Sequence, residues 1–115
     1  MVLDVPIDRF EELVAEALDG IPESLAARID NVVVRVAEGE RNPNLLGLYE
    51  GIPLTRREQY GGMAMPDRIT IYRLPILVRC RSEAEVVHQV RVTVIHEVAH
   101  HFGISDARLH ELGWA

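Results

Sequence analysis

The residues best suited to chemistry lie near the C-terminus, in His96-Glu97-Val98-Ala99-His100-His101-Phe102-Gly103-Ile104-Ser105-Asp106. On a helix, His96 and His100 stand one turn apart on the same face, so a single zinc ion can take one nitrogen from each. Glu97 is rotated by about 100° from His96 around the axis, which keeps it out of the ligand set and lets it lean over the metal's open position. Gly103 falls where such a helix must end, and Asp106 follows three residues later. The result is H-E-x-x-H-x-x-G-x-x-D, a pattern in which a glycine turn swings a third ligand back under the metal. A carboxylate oxygen is a legitimate third ligand for Zn²⁺. Capping of a final helix by Ser105 or Asp106 is the competing role, and His110 and Glu111 are then the fallback ligands.

Two imidazoles and one carboxylate leave a fourth zinc position for water, whose pKa falls toward about 7. Glu97 is then the general base, taking a proton as that water attacks a polarised carbonyl and delivering it to the departing amine. The expected reaction is peptide-bond hydrolysis, with zinc as cofactor and a peptide or unfolded segment as substrate.

Such a site needs a rigid helix. Ser82 followed by Glu85 forms a capping box, and the pattern predicts a helix from Glu83 to Phe102. Val87, Val90, Val94, Val98 and Phe102 form its apolar side, extended by Val92, Ile95 and Ala99. Gln89, Thr93, His96, Glu97 and His100 make up the one polar strip. A helix buried nearly all round leaves its polar groups in need of partners, and metal ligation supplies them. This context argues against a chance H-E-x-x-H on a surface helix. His101 points away from the strip and is expected to be packed or hydrogen-bonded, and His88 to lie at the surface. His110 is a candidate proton donor or oxyanion partner.

Upstream, Asp8 to Asp19 reads as a helix capped by Asp8 and Glu11, closed at Gly20, with Phe10, Leu13, Val14, Ala17 and Leu18 on its buried stripe. Pro22 starts a second, short helix. Asn31 to Ala37 reads as a strand covered on both faces. Leu45 to Glu50, weakened by Gly47, and Arg68 to Arg73 are further strands. Pro75 to Arg81 is a helical turn. A small sheet of three or four strands is expected. The long loop from Gly51 to Asp67 carries Arg56, Arg57 and Tyr60, which either contact substrate or merely decorate the surface.

At 115 residues, 48% of them hydrophobic and 26% charged, the chain is expected to form one soluble domain spanning residues 1–115. It has no apolar run of membrane-spanning length and no secretory start, so a cytoplasmic location is the default. The net charge of −6 argues against a nucleic-acid partner. Eleven acids against four arginines fall in residues 1–50, and seven against eight thereafter. All twelve basic residues are arginine, read as a codon-composition bias. The single Cys80 allows no internal disulfide and no thiolate zinc cluster, and is expected to be a small buried hydrophobe. Oligomeric state is not legible.

Residues 10–22, 45–55, 66–73 and 93–106 resemble the mini-zincins, small bacterial zincin-like metallopeptidases. The resemblance covers nearly the whole chain and is most specific in Thr93 to Asp106. It implies an α+β, minimal zincin-like fold, with a sheet lying over an active-site helix and an edge strand bordering the cleft. Carried over by position, it makes His96, His100 and Asp106 the metal ligands and Glu97 the base. The chain departs from larger zincins in two ways. Nine residues follow Asp106, too few for a subdomain forming the far wall, and Met1, Met63 and Met65 all lie upstream of the position a Met-turn occupies. An open, shallow cleft is therefore expected, with weak substrate binding unless the long loop or a partner completes it. Two alternatives remain. A zinc-stabilised, non-catalytic binding module fits the missing wall. A metal-dependent endoribonuclease also uses spaced histidines, but Glu97 and the acidic charge argue against it.

Overall fold

A computed structural model describes residues 3–29, 31–39, 41–51 and 67–114. The loop residues Arg56, Arg57 and Tyr60 lie outside the described residues. Helix α1 (Ile7–Asp19) is followed by a short α2 (Glu23–Ala26) and a turn of 3₁₀ helix, then strands β1 (Val32–Ala37), β2 (Gly47–Glu50) and β3 (Asp67–Tyr72). Helices α3 (Arg73–Arg79), α4 (Glu83–His101) and α5 (Asp106–Leu112) complete the order. Among the described residues the architecture is α+β, with five α-helices and a three-stranded mixed sheet in the order β1-β3-β2.

Helix α1 buries Phe10, Leu13, Val14 and Ala17, the stripe expected from their spacing, with Leu18 half-buried. Its N-terminus differs from expectation: Pro6 precedes the first turn and no side chain caps it, while Asp8 Oδ1 accepts from the adjacent Arg9 N–H at 2.9 Å. Pro6 suits this boundary because its extended conformation turns the chain into the helix.

In the sheet, β1 runs parallel to β3 with Val34 opposite Ile69 and Val36 opposite Ile71, and β2 runs antiparallel with Tyr49 opposite Ile69. The strand covered on both faces is β3, not β1. Ile69, Thr70, Ile71 and Tyr72 are all buried in β3, whereas β1 alternates and exposes Val33. The central position in the sheet decides this, because an edge strand has one neighbour fewer. Arg35 lies over Thr70 and donates to its hydroxyl at 3.1 Å.

Helix α4 packs against α1, β2 and β3. Ser82 caps it, accepting from Glu85 N–H at 3.2 Å. The Glu85 carboxylate reaches back to Arg81 N–H, one residue beyond the usual box partner. At the other end Gly103 takes φ +70°, Ile104 N–H bonds to Ala99 O at 2.8 Å and Gly103 N–H to His100 O at 3.2 Å. This is a Schellman ending, and it stops the helix at the glycine as its sequence predicts. Phe102, expected on the apolar side, is 45% exposed. As the C-cap residue it has left the helical wheel that placed it there. Helix α5 ends in the same way, with Trp114 N–H on Leu109 O at 2.9 Å. The Trp114 indole N–H donates to Ser24 Oγ at 2.8 Å and fastens the C-terminus to α2.

No helix among the described residues is long and apolar enough to cross a membrane.

Candidate active site

Strand β2 and the second half of α4 run side by side in the same direction. Gly47 lies on Thr93, the Tyr49 backbone N–H bonds to the Glu97 carboxylate, and Gly51 lies beside His101. The approach at Gly47 is so close that a Cβ there would sit 2.7 Å from Thr93 Cγ2 and 3.2 Å from Thr70 O. Thr93, expected on the polar strip, is instead buried. Its hydroxyl is satisfied by Gln89 O at 2.8 Å, within the helix itself.

Between strand and helix lies a cavity of about 200 Å³, bordered by residues 44–47 on one side and by Gln89, Val92, Thr93, His96, Glu97 and His100 on the other. The predicted strip thus converges on one pocket. The imidazoles of His96 and His100 lie 6.2 Å apart between centroids and 21° from parallel. That spacing leaves an ion room to reach a nitrogen of each at the ~2.0–2.1 Å typical of zinc. Both side chains are exposed, and neither hydrogen-bonds another described residue.

Glu97 is half-buried. Burial pushes its carboxyl above the usual carboxylate range, against the charges of His100 and His96 and the Tyr49 N–H, which act to lower it.

Tyr49 is the functional neighbour that no local signal marks. Its ring stacks on His101 at 3.9 Å between centroids, 21° from parallel, and its hydroxyl donates to Asp67 Oδ2 at 2.7 Å. His101 Nε2 lies 4.0 Å from the same oxygen, and its ring meets the edge of Phe102 at 5.0 Å. His101 is therefore the packed histidine expected from its angle on the helix. His88 is exposed and Cys80 is buried, also as expected.

The third ligand is not assembled in this geometry. Asp106 begins α5, exposed and outside the pocket lining. Among the described residues no three His, Cys, Asp or Glu side chains gather closely enough to hold a metal ion. The capping role belongs to Ser105, whose Oγ accepts from Arg108 N–H at 3.2 Å, so Asp106 is not committed to it. Of the fallback ligands, Glu111 pairs with Arg108 at 2.9 Å and His110 is exposed. The donors present, two imidazoles sharing a pocket and a carboxylate beyond the glycine turn, suit zinc by chemistry.

Comparison with known proteins agrees with this architecture. A conserved hypothetical protein from Thermus thermophilus superposes with a TM-score of 0.53 and 21% identity, over 85% of this chain and 94% of that one, a likeness of fold. No curated protein matches significantly. A family model described as zincin-like metallopeptidase matches residues 19–114, from the end of α1 through the histidine helix to α5. The chain therefore belongs to the zincin-like metallopeptidase family.

Proposed function

We propose that the protein is a zinc-dependent peptidase in which His96, His100 and Asp106 hold the metal and Glu97 is the general base. The observation that carries this reading is Glu97 itself. It is a half-buried carboxylate sharing a pocket with both imidazoles, raised in pKa by burial and steadied by the Tyr49 N–H. A carboxylate set beside both imidazoles and held by a backbone N–H can accept a proton and return it. Zinc at this site supplies a Lewis acid that polarises a carbonyl and acidifies water. Glu97 takes the proton of the attacking water and hands it to the leaving amine nitrogen, while Tyr49 restrains the carboxylate between the two transfers. The edge of β2 at Gly47 borders the pocket, which favours an extended peptide or an unfolded segment as substrate. The net charge of −6 disfavours nucleic acid.

Metal analysis of the purified protein, with His100→Ala as control, tests the site: about one equivalent of zinc is expected in the parent and a loss of it in the variant. Glu97→Gln should retain zinc and lose metal-dependent cleavage of a mixed peptide library by about 10²-fold or more. Full activity in Glu97→Gln rejects the mechanism. Bound zinc without cleavage by the parent favours the binding-module reading.

A further inference from the structure

A larger concavity of about 670 Å³ lies beyond the pocket, between Glu38, Gly39, Pro43 and Asn44 on one side and α3 on the other. Leu74 and Val78 line it from one face of α3, 47% and 65% exposed, with Pro43 opposite. Single exposed aliphatic residues are ordinary; here two share one concavity and give it an apolar wall. The wall is held in place by Arg79, which donates to Pro75 O at 2.8 Å, Asn44 Oδ1 at 3.0 Å and Pro43 O at 3.2 Å, joining helix to facing segment. The acid on the rim, Glu38, is paired with Arg73 at 2.7 Å. Both rim charges thus have partners, which leaves apolar contact as the groove's chemistry.

Asn44 belongs to this groove and to the histidine pocket alike. Because β2 and α4 run the same way, the Asn44 end of the pocket lies toward Gln89. Gln89 and His96 are seven positions apart on the helix, roughly 10 Å of rise, or about three residues of extended chain. We propose that the groove is a subsite of the same cleft, holding bulky aliphatic or aromatic side chains of an extended substrate about three or more residues from the bond to be cut. This rests on the peptidase reading and narrows its substrate class to segments carrying paired apolar side chains, which folded proteins bury and unfolded ones expose.

The test uses the zinc-loaded Glu97→Gln protein, so that binding is read without cleavage. Fluorescence anisotropy compares a labelled decapeptide containing a Leu-Ile pair with the same peptide carrying Ser-Ser. The apolar peptide should bind at least tenfold more tightly, and Leu74→Glu or Val78→Glu should erase the difference. Leu74→Ser and Val78→Ser, less disruptive, should reduce it, with circular dichroism verifying the fold of each variant. Equal affinity for the two peptides, or a preference indifferent to these substitutions, overturns the proposal. So does a shift from dimer to monomer in the charge variants with peptide preference intact, which would make the groove an interface between copies. Groove-dependent binding by a protein whose parent cleaves no peptide sustains the groove as an apolar peptide site and overturns the peptidase reading, and with it the assigned distance from a cleaved bond.

Discussion

The ring of Tyr49 lies on the imidazole of His101, 3.9 Å between centroids, while the backbone N–H of the same tyrosine holds Glu97 one helical turn earlier. One residue of β2 thus grips α4 at two points that bracket His100. The candidate base and the end of the ligand-bearing helix are fixed to the sheet by a single side chain and its own amide.

Tyr49→Phe keeps the stack and removes the hydroxyl bond to Asp67. A loss of about 1 kcal/mol in urea unfolding is expected, with zinc stoichiometry unchanged. Tyr49→Ala also loses the stack, adding roughly 0.5–1.5 kcal/mol before the lost burial is counted. Equal stability of the two variants would show that the ring contact contributes nothing.

Gly47→Ala puts a methyl group against Thr93 Cγ2 and Thr70 O. Thr93 is held by its bond to Gln89 O and cannot swing clear without losing it, so overpacking should cost about 1–3 kcal/mol. Adding Thr93→Ser removes the opposing methyl and retains the hydroxyl, and much of the lost stability should return, the contact with Thr70 O remaining. Additive losses in the double variant would place the strain elsewhere.

Ser105 and Asp106 are adjacent and should separate cleanly. Ser105→Ala removes the cap of α5 at a cost of about 1 kcal/mol, with the zinc equivalent retained. Asp106→Asn should alter the metal-free protein by only about 0.5 kcal/mol and weaken zinc binding in chelator competition. Unchanged affinity in Asp106→Asn would move the third-ligand role to His110 or Glu111.

Cys80 gives a pH dependence. Burial, aided by Glu85 and opposed by Arg79, pushes its thiol above the ordinary range. The folded protein therefore holds this proton more tightly than the unfolded chain. The stabilisation is present below the unfolded value of about 8.5 and lost as pH rises through the folded one. Cys80→Ala should be less stable than the parent by about 1 kcal/mol at neutral pH, and the gap should narrow in urea melts above about pH 9. A gap that widens there contradicts the assignment.

What was legible in the sequence follows how local its cause is. Gly103, Ser82 and the i, i+4 histidines act within a turn or two of chain, and the helix, its cap and its stop fall where they indicate. The valines of β1 suggested a doubly covered strand, but coverage depends on which strand is central, and that depends on pairing between distant segments. Gly47 looked like a defect in β2 and is instead the place where strand and helix touch. Tyr49 reaches Glu97 through a backbone amide, a contact any residue type can make, so its identity gave no warning. The position of Asp106 depends on how α5 docks, which its own seven residues do not specify.

The docking of α5 comes with its own optical gauge. Trp114 is the single tryptophan of the chain, buried at the far end of the helix that Asp106 begins, with Arg28 5.6 Å from its ring centroid. Its emission therefore reports, without any label, whether that helix is seated. A metal titration followed by fluorescence would show whether metal binding alters the seating of the helix whose first residue is the candidate third ligand.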